Sequence, residues 1–341
     1  MVNRSRFNWI VTDRMDLYKN RISFFVLCLG ITFFSSCTDG DNNDDWKLDL
    51  PELSVDSVSM LGVIGMHGAV MFSINDVPYI GLGDIPLVGK NRCFFYYSDE
   101  KRSWESIGEY PGGAREGAVA FVIGNKAYVG LGITITIDKE NGPSSVRHDD
   151  FFVYDSETGT WDTRPVKFPG GPRAGTVAFS IEGKGYVGAG EGEKLLEYFA
   201  DFYEFDPETG WKQISGIARA RVRATAFVAN GYGYVCFGVG ADDIQKFDPK
   251  SNTWKGQPIC YEKGENAEIP SNIVSFVLNK DGRDFVYVNG GWGYDPQKNV
   301  WKKVDYPIFG EYGFTMGGRG YSMGMGEKGG FVAKVFEVIE W

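Results

Sequence analysis

Arginine side chains recur at one position of a repeated pattern, and their chemistry suits the recognition of carboxylates. Arg115, Arg173 and Arg221 each lie six residues before a Phe of the pattern. A guanidinium group presents a planar fork of N–H donors that matches the two oxygens of a carboxylate. Three such forks from neighbouring repeats would converge on one rim. The sequence therefore predicts a rim that binds an acidic sugar or an acidic peptide.

The same three arginines also have a purely structural interpretation. In this interpretation they pair with nearby acids such as Glu116, Glu191 or Glu193 and only organise the loops of the rim. The sequence leaves both interpretations open.

Three further side chains complete the candidate ligand-binding set. Arg223 lies beside Arg221 but aligns with a Gly of the repeat, while His67 and Glu191 fall in the segments of other repeats. The chain has only two histidines, and neither is set in a motif for nucleophilic catalysis. The acidic loop residues lack an ordered calcium-ligand spacing. We therefore expect no catalytic set, no metal and no cofactor.

The elements that must position these side chains are short hairpins that recur along the chain. Five segments share a Phe and a Tyr seven residues apart with a turn of Gly, Asn, Asp or Glu between them: Phe72/Tyr79, Phe121/Tyr128, Phe179/Tyr186, Phe227/Tyr234 and Phe314/Tyr321. Two-residue hairpin turns need positive φ, which Gly and Asn tolerate. Folding each segment about its turn places the Phe opposite the Tyr, so each spacing predicts a cross-strand aromatic pair.

A sixth, degenerate hairpin is predicted from Ser271–Val277 and Phe285–Gly291, joined by a longer loop over Leu278–Asp284. The repeated Tyr recurs about every 48 residues. After five of the six hairpins come a third apolar segment, a turn and a Trp, at positions 104, 161, 211, 254 and 301. Each repeat therefore predicts four antiparallel strands.

The run Arg-x-Gly-x-Val-Ala-Phe, Tyr-Val-Gly-x-Gly, Tyr-Asp-x-x-Thr and Trp resembles the kelch repeat from Trp46 to Trp341. More narrowly, Phe168-Pro-Gly-Gly-Pro-Arg173 and Tyr110-Pro-Gly-Gly-Ala-Arg115 resemble kelch lipoproteins of the Bacteroidetes type. One departure is that the Gly-Gly after the second strand survives only as Gly290-Gly291. The resemblance implies an all-β fold, a six-bladed kelch β-propeller over residues 46–341.

Closure of the ring is predicted from the two ends of this domain. The last repeat ends at Trp341 with three strands, and Trp46–Leu50 is a Trp-led segment that no repeat claims. We therefore expect Trp46–Leu50 to supply the fourth strand of the last blade and to pair with Val335–Ile339, which would remove two exposed sheet edges.

The first 36 residues are predicted to be a lipoprotein signal peptide, with 1–14 as a possible mis-start. Basic residues precede the apolar run Ile22–Phe34, and two serines then precede Cys37. This ending resembles a bacterial lipobox and implies lipidation at Cys37. Residues 37–45 are an acidic tether that resembles an export signal for surface lipoproteins. The expected location is the outer membrane, facing the cell surface or the periplasm, with membrane contact through the lipid alone.

The formal net charge of −10 over 341 residues argues against a nucleic-acid-binding surface. We predict a monomeric, non-catalytic propeller that binds a glycan or an envelope protein through its loop-bearing face. The alternative, implied by resemblance, is a sugar enzyme similar to the sialic-acid (N-acetylneuraminate) epimerases, a mutarotase-like activity on a sugar carboxylate. A copper oxidase similar to galactose oxidase needs two His and two Tyr at one metal, and this chain has only His67 and His148 in separate repeats.

Overall fold

The computed structural model describes residues 50–64, 66–85, 88–138, 142–241, 243–259, 274–288, 290–304, 310–325 and 330–338. All regular elements in these ranges are β-strands. In chain order they are β1 (Leu53–Ile64), β2 (Val70–Ile74), β3 (Val77–Gly81), β4 (Asp84–Ile85), β5 (Gly89–Lys90), β6 (Cys93–Ser98), β7 (Ser103–Glu109), β8 (Val119–Ile123), β9 (Lys126–Gly130), β10 (Ile133–Asp138), β11 (Gly142–Arg147), β12 (Asp150–Asp155), β13 (Thr160–Lys167), β14 (Val177–Ile181), β15 (Lys184–Gly188), β16 (Phe202–Asp206), β17 (Gly210–Ile214), β18 (Thr225–Ala229), β19 (Tyr232–Cys236), β20 (Ile244–Asp248), β21 (Thr253–Gln257), β22 (Ser275–Lys280), β23 (Arg283–Val288), β24 (Trp292–Asp295), β25 (Val300–Lys303), β26 (Tyr312–Met316), β27 (Arg319–Met325) and β28 (Gly330–Val338). Over the same ranges, no helix has the length and apolar character needed to span a membrane.

The strands form the six four-stranded blades that the repeat predicts. Blade 1 is β2-β3-β6-β7, blade 2 is β8-β9-β12-β13, blade 3 is β14-β15-β16-β17, blade 4 is β18-β19-β20-β21, blade 5 is β22-β23-β24-β25, and blade 6 is β26-β27-β28-β1. Blades 1 and 6 are joined at one position, where Leu61 of β1 pairs parallel with Ser103 of β7. The first strands of successive blades contact one another around the ring, and β26 of blade 6 contacts β2 of blade 1. The protein is a six-bladed β-propeller whose first strands surround a central channel.

The predicted hairpin register is confirmed in the five blades for which a Phe and Tyr pair was predicted. Each repeated Phe lies opposite its Tyr. The rings stack, with centroids 4.7–5.6 Å apart and planes within 18° of parallel. Turn residues such as Asn230 (φ +50°) and Gly231 (φ +78°) adopt the left-handed conformation that this type of hairpin requires.

The predicted long loop of the sixth hairpin is wrong. Strands β22 and β23 continue through Leu278–Asp284, and the turn consists of Asp281 and Gly282 alone. Between each aromatic residue and the turn, each strand has two more residues than in the other hairpins. Phe276 therefore still lies opposite Tyr287, although eleven residues rather than seven separate them.

The N-terminal segment closes the ring, but through residues other than those predicted. Strand β1 pairs antiparallel with β28, and Val335 lies opposite Asp56 rather than a residue of Trp46–Leu50. Leu50 lies outside the strands, and residues 46–49 lie outside the described residues. The segment from Leu53 to Asp56 alternates apolar and polar residues, with Leu53 buried and Ser54 exposed, as a strand with one face toward the core requires.

Candidate functional site

The starts of the six first strands line one mouth of the channel. They enclose a cavity of about 330 Å³. Most of its lining residues are Ala or Val, and together they are Ala69–Met71, Ala118–Ala120, Thr176–Ala178, Ala224–Ala226, Val274, Ser275 and Glu311–Gly313. In a four-stranded meander, the loops from second to third strand reach the same face as these strand starts. The cavity is therefore surrounded by the longest loops of the propeller.

The prediction that three arginines present free guanidinium groups to this rim is wrong. The side chains of Arg115, Arg173 and Arg221 are at most 1% exposed. Arg115 pairs with Asp150 at 2.5 Å, Arg173 with Asp201 at 2.7 Å and Arg221 with Asp243 at 2.5 Å. The structural interpretation is correct in kind, but the partners are these aspartates rather than Glu116, Glu191 or Glu193.

Each buried arginine joins three loop segments of its own blade. Arg173 donates to the carbonyl of Gly170 before the first strand, to Ala189 O after the second strand and to Asp201 at the start of the third. Arg115 does the same with Gly112, Leu131 and Asp150. Buried carbonyls and a partly buried carboxylate need such donors, because unpaired polar groups are costly away from water.

Arg221 follows the same scheme in blade 4. It donates to Phe237 O at 3.3 Å, which corresponds to Leu131 and Ala189, and to Asp243. Blade 1 has Met66 at the arginine position, and the amide of Asn91 donates there to Leu82 O at 3.2 Å. The loop carbonyl after the second strand is thus satisfied in blades 1–4, by Arg in three of them and by Asn in one.

His67 and Glu311, a residue outside the sequence-predicted set, form a pair at the cavity. His67 precedes β2 in blade 1, and Glu311 precedes β26 in blade 6 and lines the cavity. His67 Nδ1 and Glu311 Oε1 lie 2.5 Å apart, and both side chains are exposed, at 55% and 39%. These residues are 244 positions apart, and closure of the ring brings them together. An imidazole and a carboxylate in contact can exchange and relay protons.

The remaining candidate residues have distinct surroundings. Glu191 pairs with Arg147 at 2.9 Å, so its carboxylate is engaged. Arg223 is exposed and lies next to Ala224 of the cavity wall. Cys37, the predicted lipidation residue, lies outside the described residues.

The second histidine, His148, contacts residues other than the His67–Glu311 pair. His148 Nε2 contacts Thr134 Oγ1 at 2.7 Å, within the loop region of blade 2. Burial and the nearby Arg115 cation lower the pKa of His148, so its imidazole is neutral at pH 7. Within the ranges given above, no group of three or more His, Cys, Asp or Glu is placed to hold a metal ion.

The sequence contained a usable signal for the aspartate partners of the arginines. Asp150, Asp201 and Asp243 each stand immediately before the first apolar residue of the third strand, and only in the blades that carry the arginine. The Glu311 partner of His67 had no comparable signal, since its blade lacks the surrounding motif.

Comparison with known proteins gives the class of fold first. A solved structure titled "Structure of YjhT" matches with a TM-score of 0.60 and 15% identity, over 81% of this chain and 95% of that one. At this identity the likeness shows the six-bladed propeller fold. No protein-family model matches the chain.

Curated relatives of this chain include N-acetylneuraminate epimerases from several bacteria. N-acetylneuraminate epimerases are 26% identical in Escherichia coli O139:H28 over 164 residues, 26% in Haemophilus influenzae (strain PittEE) over 229, and 25% in Shigella flexneri serotype 5b over 281. These matches cover 46%, 67% and 80% of this chain. They span 42%, 54% and 68% of the respective relatives.

Proposed function

We propose that the channel mouth binds a reducing monosaccharide and that the His67–Glu311 pair accelerates the interconversion of its anomers. The observation that carries this proposal is the 2.5 Å contact between His67 Nδ1 and Glu311 Oε1 beside the cavity. An exposed acid–base pair next to a concave site is the arrangement that general acid–base catalysis needs. The proposed function is therefore the sugar-enzyme alternative of the sequence analysis rather than the non-catalytic binding role.

The chemistry needs only proton transfers at two oxygens. The Glu311 carboxylate accepts the proton of the anomeric hydroxyl, and the protonated imidazole of His67 donates a proton to the ring oxygen. The bond between the anomeric carbon and the ring oxygen breaks as a carbonyl group forms. Closure on the other face of that carbonyl reverses both transfers and gives the other anomer, so no cofactor or oxidant is consumed.

The size and lining of the cavity support a small ligand. Its volume of about 330 Å³ lies at the lower end of the range for small-molecule sites, which suits a single sugar better than an oligosaccharide. The Ala-rich wall leaves room beside the acid–base pair. The name shared by the relatives makes N-acetylneuraminate the first sugar to test.

The test is the rate of anomer exchange, measured by magnetisation-transfer NMR on N-acetylneuraminate with purified protein. Wild type is expected to accelerate exchange, and His67→Asn and Glu311→Gln are each expected to lower that acceleration about 100-fold, the usual loss when an acid or base is removed. His148→Asn is the matched control, because it removes the other histidine of the chain, and it should retain the acceleration. Exchange that is no faster with wild type than in buffer would refute the catalytic role.

A non-catalytic role remains a second candidate, and the exposed apolar side chains of the loops favour it. Leu195 and Leu196, which are adjacent in the loop of blade 3, are 92% and 71% exposed. Exposed apolar residues close together are typical of protein-binding surfaces. In this reading the loop face holds a glycan or an envelope protein. Binding of a sugar without accelerated exchange would favour it.

We also propose that the protein is a monomeric outer-membrane lipoprotein anchored through Cys37. The apolar run followed by two serines and Cys37 supports the proposal. Metabolic labelling with an alkyne fatty acid should mark wild type and Cys28→Ala, whose cysteine lies inside the apolar run, but not Cys37→Ala.

A further inference from the structure

Arg223 occupies a backbone position that is glycine in the preceding blades. The residue four positions before the repeated Phe is Gly68, Gly117 and Gly175 in blades 1–3, with φ of +62°, +62° and +61°. In blade 4 it is Arg223, with φ of +56°. The left-handed conformation is therefore a feature of the repeat, and blade 4 keeps it while adding a long cationic side chain.

Backbone hydrogen bonds between neighbouring blades hold this conformation. Arg223 N donates to Gly175 O at 2.9 Å, as Gly117 N donates to Gly68 O at 3.0 Å. A residue with a Cβ is disfavoured in this conformation, and such residues are found chiefly where the surrounding structure imposes them. Because glycine would satisfy the backbone equally well, the fold gives no reason for arginine at this position.

The arginine side chain starts beside the cavity and, in the described part of the chain, has no anionic partner. Ala224 and Thr225, which follow it, line the cavity. Its Cγ lies 3.4 Å from where a Cβ of Gly175 would stand, so the missing side chain of Gly175 leaves room for it. Among the residues that the structure describes, no carboxylate forms an ion pair with Arg223, and its side chain is exposed.

Five other described cations of the loops on this face are already engaged. Arg115, Arg173 and Arg221 are buried against aspartates, Lys90 pairs with Glu116 at 2.6 Å, and Arg147 pairs with Glu191 at 2.9 Å. Blade 4 lies across the six-membered ring from blade 1, so Arg223 and His67 approach the cavity from opposite sides.

We propose that Arg223 binds the carboxylate of the sugar and thereby makes the channel mouth specific for sugar acids. This inference rests on the proposed function, because it adds a specificity-determining contact to the same cavity. A guanidinium fork binds a carboxylate through two charge-assisted hydrogen bonds, which a neutral sugar does not provide.

The test compares the Michaelis constants for anomer exchange of N-acetylneuraminate and of the uncharged N-acetylmannosamine. Arg223→Gly is expected to raise KM for the acid at least tenfold with little change in kcat, and to leave the neutral sugar unaffected. Arg223→Lys keeps the charge but loses the planar fork, so its KM for the acid should lie between those of wild type and Arg223→Gly. Since glycine is the residue of the repeat, Arg223→Gly should unfold at no lower urea concentration than wild type.

Arg102→Gly provides a matched control. Arg102 is also exposed and left-handed (φ +51°), but it lies in the β6–β7 turn on the opposite face of the ring. Its replacement should leave both Michaelis constants unchanged. An unchanged KM for the acid in Arg223→Gly, or an equal loss in Arg102→Gly, would overturn the inference.

A direct binding measurement separates this inference from the catalytic proposal. If titration calorimetry shows tenfold weaker binding of N-acetylneuraminate to Arg223→Gly while wild type fails to accelerate exchange, the carboxylate contact stands and the acid–base role falls. If exchange depends on His67 but KM for the acid is the same in wild type and Arg223→Gly, the acid–base role stands and the carboxylate contact falls.

Discussion

At the scale of single residues, buried charge is used here to hold loops rather than ligands. Arg173 contacts Asp201, two loop carbonyls and the rings of Phe168 and Phe199, with its guanidinium carbon 4.0 Å from the centre of the Phe199 ring. Its position in the repeat was visible in the sequence, but its burial was not. The residue type that suits a carboxylate ligand also suits an aspartate of the same chain, and only the fold decides which of the two it meets.

Removal of one buried guanidinium should therefore cost stability. Arg173→Ala leaves Asp201 and two carbonyls without their donor, and we expect the free energy of unfolding to fall by about 3 kcal/mol. Urea denaturation followed by tryptophan fluorescence measures this. Arg164→Ala is the control, because Arg164 pairs with Asp162 in solvent and such pairs contribute little. Equal stability of the two variants would contradict the structural role.

At the scale of elements, the hairpins were predictable because each is encoded locally. A Phe, a turn and a Tyr within eight residues fix the register, and the stacked ring pairs confirm it. The closing strand was predicted less well. The prediction chose Trp46 because a Trp marks the outer strand in other blades. The strand that pairs with β28 starts at Leu53 and carries no Trp. A strand that pairs with a distant part of the chain is marked locally only by a weak alternation of apolar and polar residues.

The register of the closing strand can be tested by cross-linking. Ser54 and Glu337 lie opposite each other, and both are exposed. The double variant Ser54→Cys/Glu337→Cys should form a disulfide that peptide mass mapping detects, and oxidation should stabilise the protein by roughly 2–4 kcal/mol. Glu52→Cys/Glu337→Cys, two residues out of register, should not cross-link as readily. Preferential cross-linking of the control would contradict the pairing described here.

At the scale of the whole molecule, the ring joins residues that no local pattern connects. Tryptophan rings pack between neighbouring blades. The ring centroids of Trp161 in blade 2 and Phe94 in blade 1 are 5.1 Å apart, and those of Trp254 in blade 4 and Phe202 in blade 3 are 4.6 Å apart. The repeat predicted these residues and the number of blades. It did not predict the His67–Glu311 pair, because two segments 244 residues apart meet only when the ring closes.

A crystal structure of the protein soaked with N-acetylneuraminate tests the proposed sugar site most directly. We predict that the sugar lies in the channel mouth, with an oxygen of its anomeric centre or ring within hydrogen-bond distance of His67 or Glu311. A sugar bound elsewhere on the propeller, with the mouth empty at saturating concentration, would contradict it.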